Sequence, residues 1–362
     1  MSAIQRVVVT GRGVLSPLGG DWPSFAEAVR AGRPANAGSF PGVEAGDAPH
    51  CYVLSGKPQT GTRGGEPLAA LVTAAAAQAM AEARLERGGA PLDGVGLVMN
   101  TALGPSAATE AYLERLHAAG PRASRPARFV DTLLSMPASR AGIALGLRGS
   151  TAVLGGSGPF ELALDWVRGG RERTLVAGGG EYLSPKVLRY HRVLAERSGG
   201  ERASLAQGAA FVVLEAADTS RQRAAAACAE LLGVGAASEP QDVALPWSDD
   251  RQGLAFATAM RAALADAAVE PEAVACVALA AGDDRSEEGE LAALEAVFGP
   301  RTASLTLLRP KRFLGEALGA SAGLSLLATL AHREQRRDGG LAIVNSFEMG
   351  GAVSSLIVRT PL

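Results

Sequence analysis

Two glycine-containing stretches partly match sequence motifs of catalytic or nucleotide-binding turns. Gly156-Ser157-Gly158 is part of the turn that presents a nucleophilic serine in hydrolases, but the full pattern needs glycine at 159, where this chain has proline. Gly11-Arg12-Gly13 begins like a dinucleotide-binding turn, yet it continues Val-Leu-Ser-Pro without the third glycine. These stretches therefore favour neither a serine nucleophile nor a nucleotide site.

Metal chemistry is also disfavoured by spacing. The three cysteines (Cys51, Cys228 and Cys276) fit neither a zinc pattern nor a disulfide framework. Five acidic residues cluster in one stretch (Asp283, Asp284, Glu287, Glu288 and Glu290), and we interpret them as a solvated loop and helix start, where carboxylates are favoured. His117, His191 and His332 lie in polar, arginine-rich surroundings and are interpreted as surface residues. We expect no metal and no cofactor.

Composition excludes several classes of protein. The chain has 362 residues, is 47% hydrophobic and carries a formal net charge of −2. That length is enough for a large core in two domains or one duplicated domain, and the charge balance gives no basis for nucleic-acid or membrane binding. The sequence has neither the apolar core of a signal peptide nor a membrane-spanning stretch. We expect a cytoplasmic protein.

Short apolar runs alternate with amphipathic segments along the chain. Predicted strands cover residues 7–10, 95–100, 151–154, 174–177, 209–215, 227–236, 273–280, 303–308, 341–345 and 354–359. Predicted helices cover 22–31, 67–86, 107–119, 139–147, 157–168, 253–268, 288–298 and 318–333. This alternation indicates an α/β protein with mostly parallel sheets.

One order of elements in the first half of the chain recurs in the second half. Leu154-Gly155-Gly156 precedes a helix, a strand and then Ala177-Gly178-Gly179-Gly180. Leu318-Gly319-Ala320 precedes a helix, a strand and then Met349-Gly350-Gly351. The repetition predicts two duplicated halves, residues 1–218 and 219–362.

Five passages, in order, resemble the β-ketoacyl synthases of the thiolase fold. They are VVVTGRGVLSPLGGDWPSFAEAVRAG near the start, residues 129–151 ending in GIALGLRGST, residues 153–181 ending in LVAGGGE, PKRFLGEALGASAG, and NSFEMGGA. Together they span nearly the whole chain. The resemblance implies an α/β thiolase-like fold of two duplicated βαβαβαββ halves in α-β-α-β-α layers.

The same resemblance implies that the condensing machinery is missing. The family uses a cysteine at a strand-to-helix turn, two histidines and a lysine. Counting back from Ala177 places Val153 at the cysteine position, and the two histidine positions fall at Leu279 and Glu316. Only Lys311 stands at its expected place, and Glu316 is expected to pair with Lys311 or Arg312.

A non-catalytic subunit is what this pattern resembles most. In type II polyketide and aryl polyene systems, a ketosynthase pairs with a homologous chain-length factor that lacks the cysteine, often has glutamine there, and follows it with Ala-Gly-Gly. Here Val153 precedes Leu154-Gly155-Gly156, and the glutamine is missing. The resemblance implies a heterodimer with an active ketosynthase, an acyl carrier protein as an indirect partner, and polyketide or fatty-acid-like biosynthesis as context.

Such a partner shapes the acyl tunnel from across the dimer interface, so chain length follows from steric volume. The interface segment in this family precedes the turn. In this chain it contains Phe129, Leu133, Leu134 and Met136, which are the candidate tunnel and interface residues. Ordinary core packing is the competing interpretation of these residues.

Two other functions stay open. One is a stand-alone acyltransferase or hydrolase with a repurposed pocket, in which Glu316, Lys311 or a cysteine does the chemistry. The other is a homodimeric acyl-binding scaffold without catalysis. The sequence does not distinguish them from the subunit hypothesis.

Overall fold

The structure is a computed structural model that describes residues 5–36, 38, 40, 51–54, 66–85, 92–199, 202–241, 245–334, 336 and 340–360. The ten strands are β1 Val7–Leu15, β2 Val95–Thr101, β3 Thr151–Gly155, β4 Thr174–Glu181, β5 Gly208–Ala216, β6 Ala229–Ser238, β7 Val274–Ala278, β8 Thr306–Leu308, β9 Leu341–Glu348 and β10 Ala352–Arg359. The twelve α-helices of this described part are α1 Trp22–Arg30, α2 Pro67–Glu82, α3 Ser106–Ala119, α4 Pro126–Val130, α5 Met136–Leu145, α6 Pro159–Arg168, α7 Pro185–Arg197, α8 Ala217–Gln222, α9 Leu254–Ala267, α10 Asp284–Phe298, α11 Pro310–Leu314 and α12 Ser321–Arg333.

The order of the strands repeats in the two halves of the chain. The sheet runs β3-β2-β4-β5-β1-β6-β10-β9-β7-β8, so each strand of the first half has a counterpart at the mirrored place in the second. The halves join where three residues of β1 pair with β6. The single mixed sheet and its helices have the thiolase-like architecture expected from the sequence. The boundary between residues 218 and 219 stays a prediction; it falls inside α8.

Fewer strand pairs of the sheet are parallel than the alternation of strands and helices predicted. In each half the second strand from the outer edge pairs parallel with both neighbours: β2 with β3 and β4, and β7 with β8 and β9. The remaining pairings, among β1, β4, β5, β6, β9 and β10, are antiparallel. The expectation of mostly parallel sheets was wrong because an alternating pattern does not fix the direction of the strands that close each half.

Three apolar cores define the layers. The first lies between α2 and α5 and the strands of the first half, and the second lies between α9 and α10 and the strands of the second half. The third contains residues of α6 and α12 together with residues of β1, β5, β6 and β10. Helices α6 and α12 therefore lie in a central layer that both halves share, which gives the α-β-α-β-α arrangement.

The glycines of Gly11-Arg12-Gly13 have a packing role. A Cβ atom at Gly11 would collide with the carbonyl oxygen of Ala79, and one at Gly13 with that of Ala75, both in α2. The missing side chains let α2 lie directly on β1, which continues through these glycines to Leu15. The stretch that begins like a nucleotide-binding turn is a site of close contact between a helix and a strand.

Candidate functional site

Lys311 and Glu316 form a buried ion pair at the short connection between α11 and α12. Nζ of Lys311 lies 2.6 Å from Oε2 of Glu316, and their side chains are only 4% and 5% exposed. The other carboxylate oxygen accepts hydrogen bonds from the backbone N–H of Leu318 and the hydroxyl of Ser321, each 2.7 Å long. Glu316 thus neutralises the lysine and secures the start of α12, as the sequence led us to expect for its pairing.

The turn between β3 and α6 contains no thiol. Val153 lies inside β3 opposite Met99, and its side chain packs against the core beneath α2 and α5. The chain turns only after Gly155, and Gly156 has a φ of +76°. A Cβ atom at Gly156 would lie 2.8 Å from the carbonyl oxygen of Met349, so the turn fits closely against the loop after β9. The assignment of Val153 to the nucleophile position stays a prediction, and residues 153–156 contain neither a thiol nor a hydroxyl group.

Leu279 occupies a fully buried position directly after β7. Its backbone N–H donates to the carbonyl oxygen of Leu308, and the next two N–H groups each donate to the carboxyl group of Glu290 at 2.9 Å. Asn345 donates to the same carboxyl group at 2.8 Å. Burial raises the pKa of Glu290 to about 7. The loop after β7 is therefore held by a carboxyl group, and the assignment of Leu279 to the first-histidine position stays a prediction.

The acidic cluster is more buried than the sequence indicated. Asp283 caps α10 by accepting from the backbone N–H of Ser286, and it is 8% exposed. Glu287 is buried beside Arg309 and Arg312, and Glu290 is fully buried. The solvated interpretation was wrong for these three, because backbone N–H groups and arginines supply the partners that water would otherwise supply.

Two further carboxyl groups, those of Glu348 and Glu161, lie near the turn. Oε2 of Glu348 accepts from Asn100 at 2.9 Å, and Asn100 accepts from the N–H of Gly156 at 3.1 Å. Burial raises the pKa of Glu348 to about 8 and also raises that of Glu161 in the first turn of α6. Glu348 was missed in the sequence because Asn345-Ser346-Phe347 separate it from the apolar run 341–344, so nothing in the local order marks a buried carboxyl group.

His191 is buried, which corrects its assignment to the surface. It is 5% exposed, and its ring makes an edge-on contact with Trp247 at 5.6 Å between ring centres. Burial and the charge of Arg202 lower its pKa to about 4. His191 lines a polar cavity together with Lys311 and Glu316. The unpredicted helix α7 carries this histidine to the site.

The predicted interface residues lie at the surface. Phe129 is 51% exposed at the end of α4, and Leu133 and Leu134 are 39% and 42% exposed in the link to α5. Met136, the first residue of α5, is half-buried. With Val130 and Ile143, which is 79% exposed, these residues form what we call the α4–α5 surface. Ordinary core packing does not describe Phe129, Leu133 and Leu134.

The α4–α5 surface adjoins the open edge of the sheet. β3 is the outermost strand of the first half and pairs only with β2 among the described strands. A Cβ atom at Gly155, the last residue of β3, would lie 3.6 Å from Cδ2 of Leu134. An apolar surface and an unpaired strand edge therefore meet at one place.

Within the described residues, no group of three or more histidine, cysteine or acidic side chains is arranged to hold a metal ion. The three cysteines form no disulfide. No described helix has both the length and the apolar character required to cross a bilayer.

Comparison with known proteins shows what this chain is similar to. Residues 228–336 match the family described as β-ketoacyl synthase, C-terminal domain. The chain is 26% identical to 3-oxoacyl-[acyl-carrier-protein] synthase 2 of Coxiella burnetii over 363 aligned residues, covering 91% of this chain and 86% of that protein. It is 30% identical to nodulation protein E of Rhizobium leguminosarum bv. trifolii over 224 residues, covering 56% and 54%.

Solved structures share the fold across the whole chain. One is a type II polyketide synthase acyl carrier protein in complex with its ketosynthase bound to the hexaketide, with a TM-score of 0.85 and 20% identity, covering 98% of this chain and 99% of that one. Another is the ishigamide ketosynthase/chain length factor, with a TM-score of 0.85 and 21% identity, covering 99% and 100%. The chain is a β-ketoacyl synthase-like protein of the thiolase fold. In this β-ketoacyl synthase-like protein, the turn after β3 is linked to the buried carboxyl group of Glu348 through Asn100.

Proposed function

We propose that this β-ketoacyl synthase-like protein is a non-catalytic subunit of the chain-length-factor type, which pairs with an active ketosynthase and shapes its acyl tunnel. The observation that carries the proposal is the Lys311–Glu316 pair. It fills the site with an ion pair whose carboxylate oxygens already accept from three donors. A carboxylate in this place repels the developing negative charge that an acyl transfer must stabilise.

The residues assigned to the condensing positions do not have the functional groups that condensation needs. A thioester exchange needs a thiolate at the turn, and residues 153–156 are Val-Leu-Gly-Gly. Decarboxylation of a malonyl group needs donors that stabilise an enolate, and the positions assigned to the two histidines hold Leu279 and Glu316. We infer that any turnover in which this chain takes part uses the cysteine of a partner.

The α4–α5 surface and the edge of β3 supply a place for that partner. Exposed apolar groups of this kind are typical of protein interfaces, and a free strand edge can pair with a second strand. Phe129, Leu133 and Leu134 would then lie against the ketosynthase and limit the length of its acyl tunnel. One solved structure of this fold is described as a ketosynthase/chain length factor, which supports the assignment.

A basic groove beside this surface supports a role for an acyl carrier protein. Arg115, Arg125 and Arg128 line a groove between α3 and α4. Arg128 lies 3.8 Å from Asp131 and is 63% exposed, so its charge is available to a partner. A carrier protein that docks through acidic residues would find complementary charge there. Another solved structure of this fold is described as a ketosynthase in complex with its acyl carrier protein.

Co-expression with the nearest-encoded ketosynthase tests the proposal. We expect size-exclusion chromatography with mass analysis to give a one-to-one heterodimer. Its condensing activity should disappear when the partner's cysteine is replaced by alanine, and should persist when this chain carries the double change Lys311→Met/Glu316→Gln, which leaves neither side chain as an unpaired buried charge. A homodimer of this chain that does not bind the co-expressed ketosynthase would contradict the proposal.

His191 favours a second candidate, the stand-alone acyltransferase or hydrolase. It places a neutral imidazole in the same cavity as Lys311 and Glu316, and imidazole is the commonest general base. Thioester hydrolysis by the isolated chain that is lost in His191→Ala would favour this candidate. A stable homodimer without turnover would instead favour an acyl-binding scaffold.

A further inference from the structure

The groove between α3 and α4 is large enough for a small organic molecule. Its volume is about 320 Å³, within the range of small-molecule sites in proteins. The α3 wall carries Ala108, Ala111, Tyr112 and Arg115, which lie on one face of the helix because three or four residues separate neighbours on that face. The opposite wall is formed by the residues that lead into α4 and by α4 itself.

Three arginines bring positive charge to the two walls. Arg115 belongs to the α3 wall, and Arg125 and Arg128 belong to the opposite wall. Arg128 lies 3.8 Å from Asp131, which is too far for a direct hydrogen bond. Within the part of the chain that the structure describes, Arg115 and Arg125 have no ion-pair partner. At least two of the three guanidinium groups are therefore available to a ligand.

The carboxylates near the groove do not cancel this charge. Glu110 and Glu114 of α3 contact the start of α7 instead, and the second of them pairs with Lys186 at 2.9 Å. Asp131, the acidic residue in the lining, is bound by Arg140 of α5. The groove therefore has an excess of positive charge that its own acidic residues leave uncompensated.

Tyr112 and Ser124 add a neutral donor. Their hydroxyl oxygens are 2.8 Å apart, so one hydroxyl donates to the other. Whichever of them donates, the accepting hydroxyl keeps its own hydrogen, which is available to an acceptor in the groove. The ring of Tyr112 also packs against Phe129, with 5.9 Å between ring centres, which holds the ring in place. The groove thus offers charged and neutral donors to a ligand rich in acceptors.

A phosphate group fits these donors better than a carboxylate does. Arginines on opposite walls need oxygens that point in different directions, and a tetrahedral phosphate monoester supplies three oxygens where a planar carboxylate supplies two. A phosphate monoester also carries a charge of roughly −1.5 to −2 at pH 7. The groove has more room than the phosphate needs, so an organic part would lie against Ala108, Ala111 and the ring of Tyr112.

We propose that the α3–α4 groove binds a small organic phosphate monoester, with the phosphate between Arg115, Arg125 and Arg128 and the organic part against the α3 wall. This inference goes beyond the proposed function, because the ligand is a small molecule that binds the chain without the ketosynthase. A carrier protein that docks over the same arginines would compete with it.

Calorimetry with the full chain and four probes tests the site. The probes are phenyl phosphate, inorganic phosphate without the ring, benzoate with a planar anion and benzyl alcohol without charge. We expect phenyl phosphate to bind at least about tenfold more tightly than each of the other three. Failure of phenyl phosphate to bind at millimolar concentration, or equal binding of benzoate or of inorganic phosphate, would overturn the proposal.

Single arginine variants locate the binding. Arg115→Gln and Arg125→Gln should each weaken phenyl phosphate binding about tenfold, because each removes one charge-assisted contact. Arg122→Gln is the matched control: this exposed arginine lies in the same connection but does not line the groove, and its loss should change the affinity by less than about twofold.

Thermal melting shows whether each variant is folded, and all three arginines are exposed, so the melting temperatures should hardly differ. An equal loss of affinity in Arg122→Gln and Arg115→Gln would mean that the anion responds to the general positive field of this surface, and would overturn the site. Because no ketosynthase is present in these measurements, their failure would leave the proposed function standing.

Discussion

Glu316 has a structural task that a histidine at this position would not perform. Its carboxylate joins Lys311 on one side and the start of α12 on the other, through Leu318 and Ser321. A lysine this deeply buried is tolerated only while an opposite charge compensates it. The site therefore depends on an ion pair.

Breaking that pair should destabilise the protein. We expect Glu316→Gln to lower the free energy of unfolding by about 3 kcal/mol, because Lys311 is left as a buried charge. The double variant Lys311→Met/Glu316→Gln should recover most of the loss. Urea unfolding of the three proteins measures both values, and a single variant as stable as the wild type would show that the pair is not needed.

The buried carboxyl groups make stability depend on pH. Burial raises the pKa of Glu181 and Glu290 to about 7 and that of Glu348 to about 8, from an ordinary 4.5. Between those values the folded protein holds protons that the unfolded chain has released. This contribution is fully present below pH 4.5 and is lost as the pH rises to about 8, so the free energy of unfolding should fall over that range.

Glu348→Gln isolates one of these groups, since glutamine can still accept from Asn100. Its stability should decline less steeply between pH 5 and pH 8 than that of the wild type. Glu230 is the control because Arg6 and Arg359 lower its pKa, so Glu230→Gln should alter the acidic limb instead. An unchanged slope in Glu348→Gln would contradict the shift. Denaturant unfolding at a series of pH values measures all three proteins.

At the scale of elements, the sequence pattern predicted most helices and strands but not which of their residues are buried at the site. α2 and α9 were predicted to within a few residues because both are long and rich in alanine, the strongest helix former. α7 was missed because most of its residues are polar or charged. Its buried side consists of only three residues, Leu188, His191 and Leu194. With α7 missed, the burial of His191 was also missed, since burial depends on what packs over a helix.

The site was predictable where it depends on local chain order. The partner of Glu316 lies five residues away in Lys311, so their pairing could be expected from the sequence. The hydrogen bond between Asn100 and Glu348 joins residues 248 positions apart. The strand around Val153 was likewise predicted from local order, over residues 151–154 against Thr151–Gly155 in the structure.

The contact between β1 and α2 should be intolerant of any side chain. We expect Gly13→Ala to lower the free energy of unfolding by about 1–3 kcal/mol, because the added methyl group meets the backbone of α2 at Ala75. Gly142→Ala in α5 is the control: nothing lies within 4 Å of the added atom. It should gain about 0.5–1 kcal/mol, as alanine is the better helix former. Equal effects of the two changes in urea unfolding would contradict this packing.

The α4–α5 surface should matter for association and not for folding. In the proposed heterodimer, Phe129→Asp should raise the dissociation constant about a hundredfold, since it places a charge in an apolar contact. The melting temperature of the isolated chain should hardly change because Phe129 is 51% exposed. Leu254→Asp, at a residue 63% exposed on α9, is the matched control and should leave binding intact. Equal binding by both variants would place the interface elsewhere.

At the scale of the whole molecule, the central layer ties the two halves together. Its core combines Leu164 of α6 and Leu327 of α12 with strands from both halves. The direct strand contact is short, since only three residues of β1 pair with β6. Burial of shared apolar surface, more than backbone pairing, must therefore hold the halves in one unit.

Neither half should fold alone, although each has a complete set of strands. Residues 1–218 would expose the α6 side of the shared core, and residues 219–362 would expose the α12 side. We expect each fragment to lack cooperative thermal unfolding, and the co-expressed fragments to recover one transition close to that of the intact chain. Circular dichroism of the separate and combined fragments measures this. A fragment that melts cooperatively by itself would mean that the duplicated halves are independent domains, and that the shared core is a consequence of their docking and not a condition for folding.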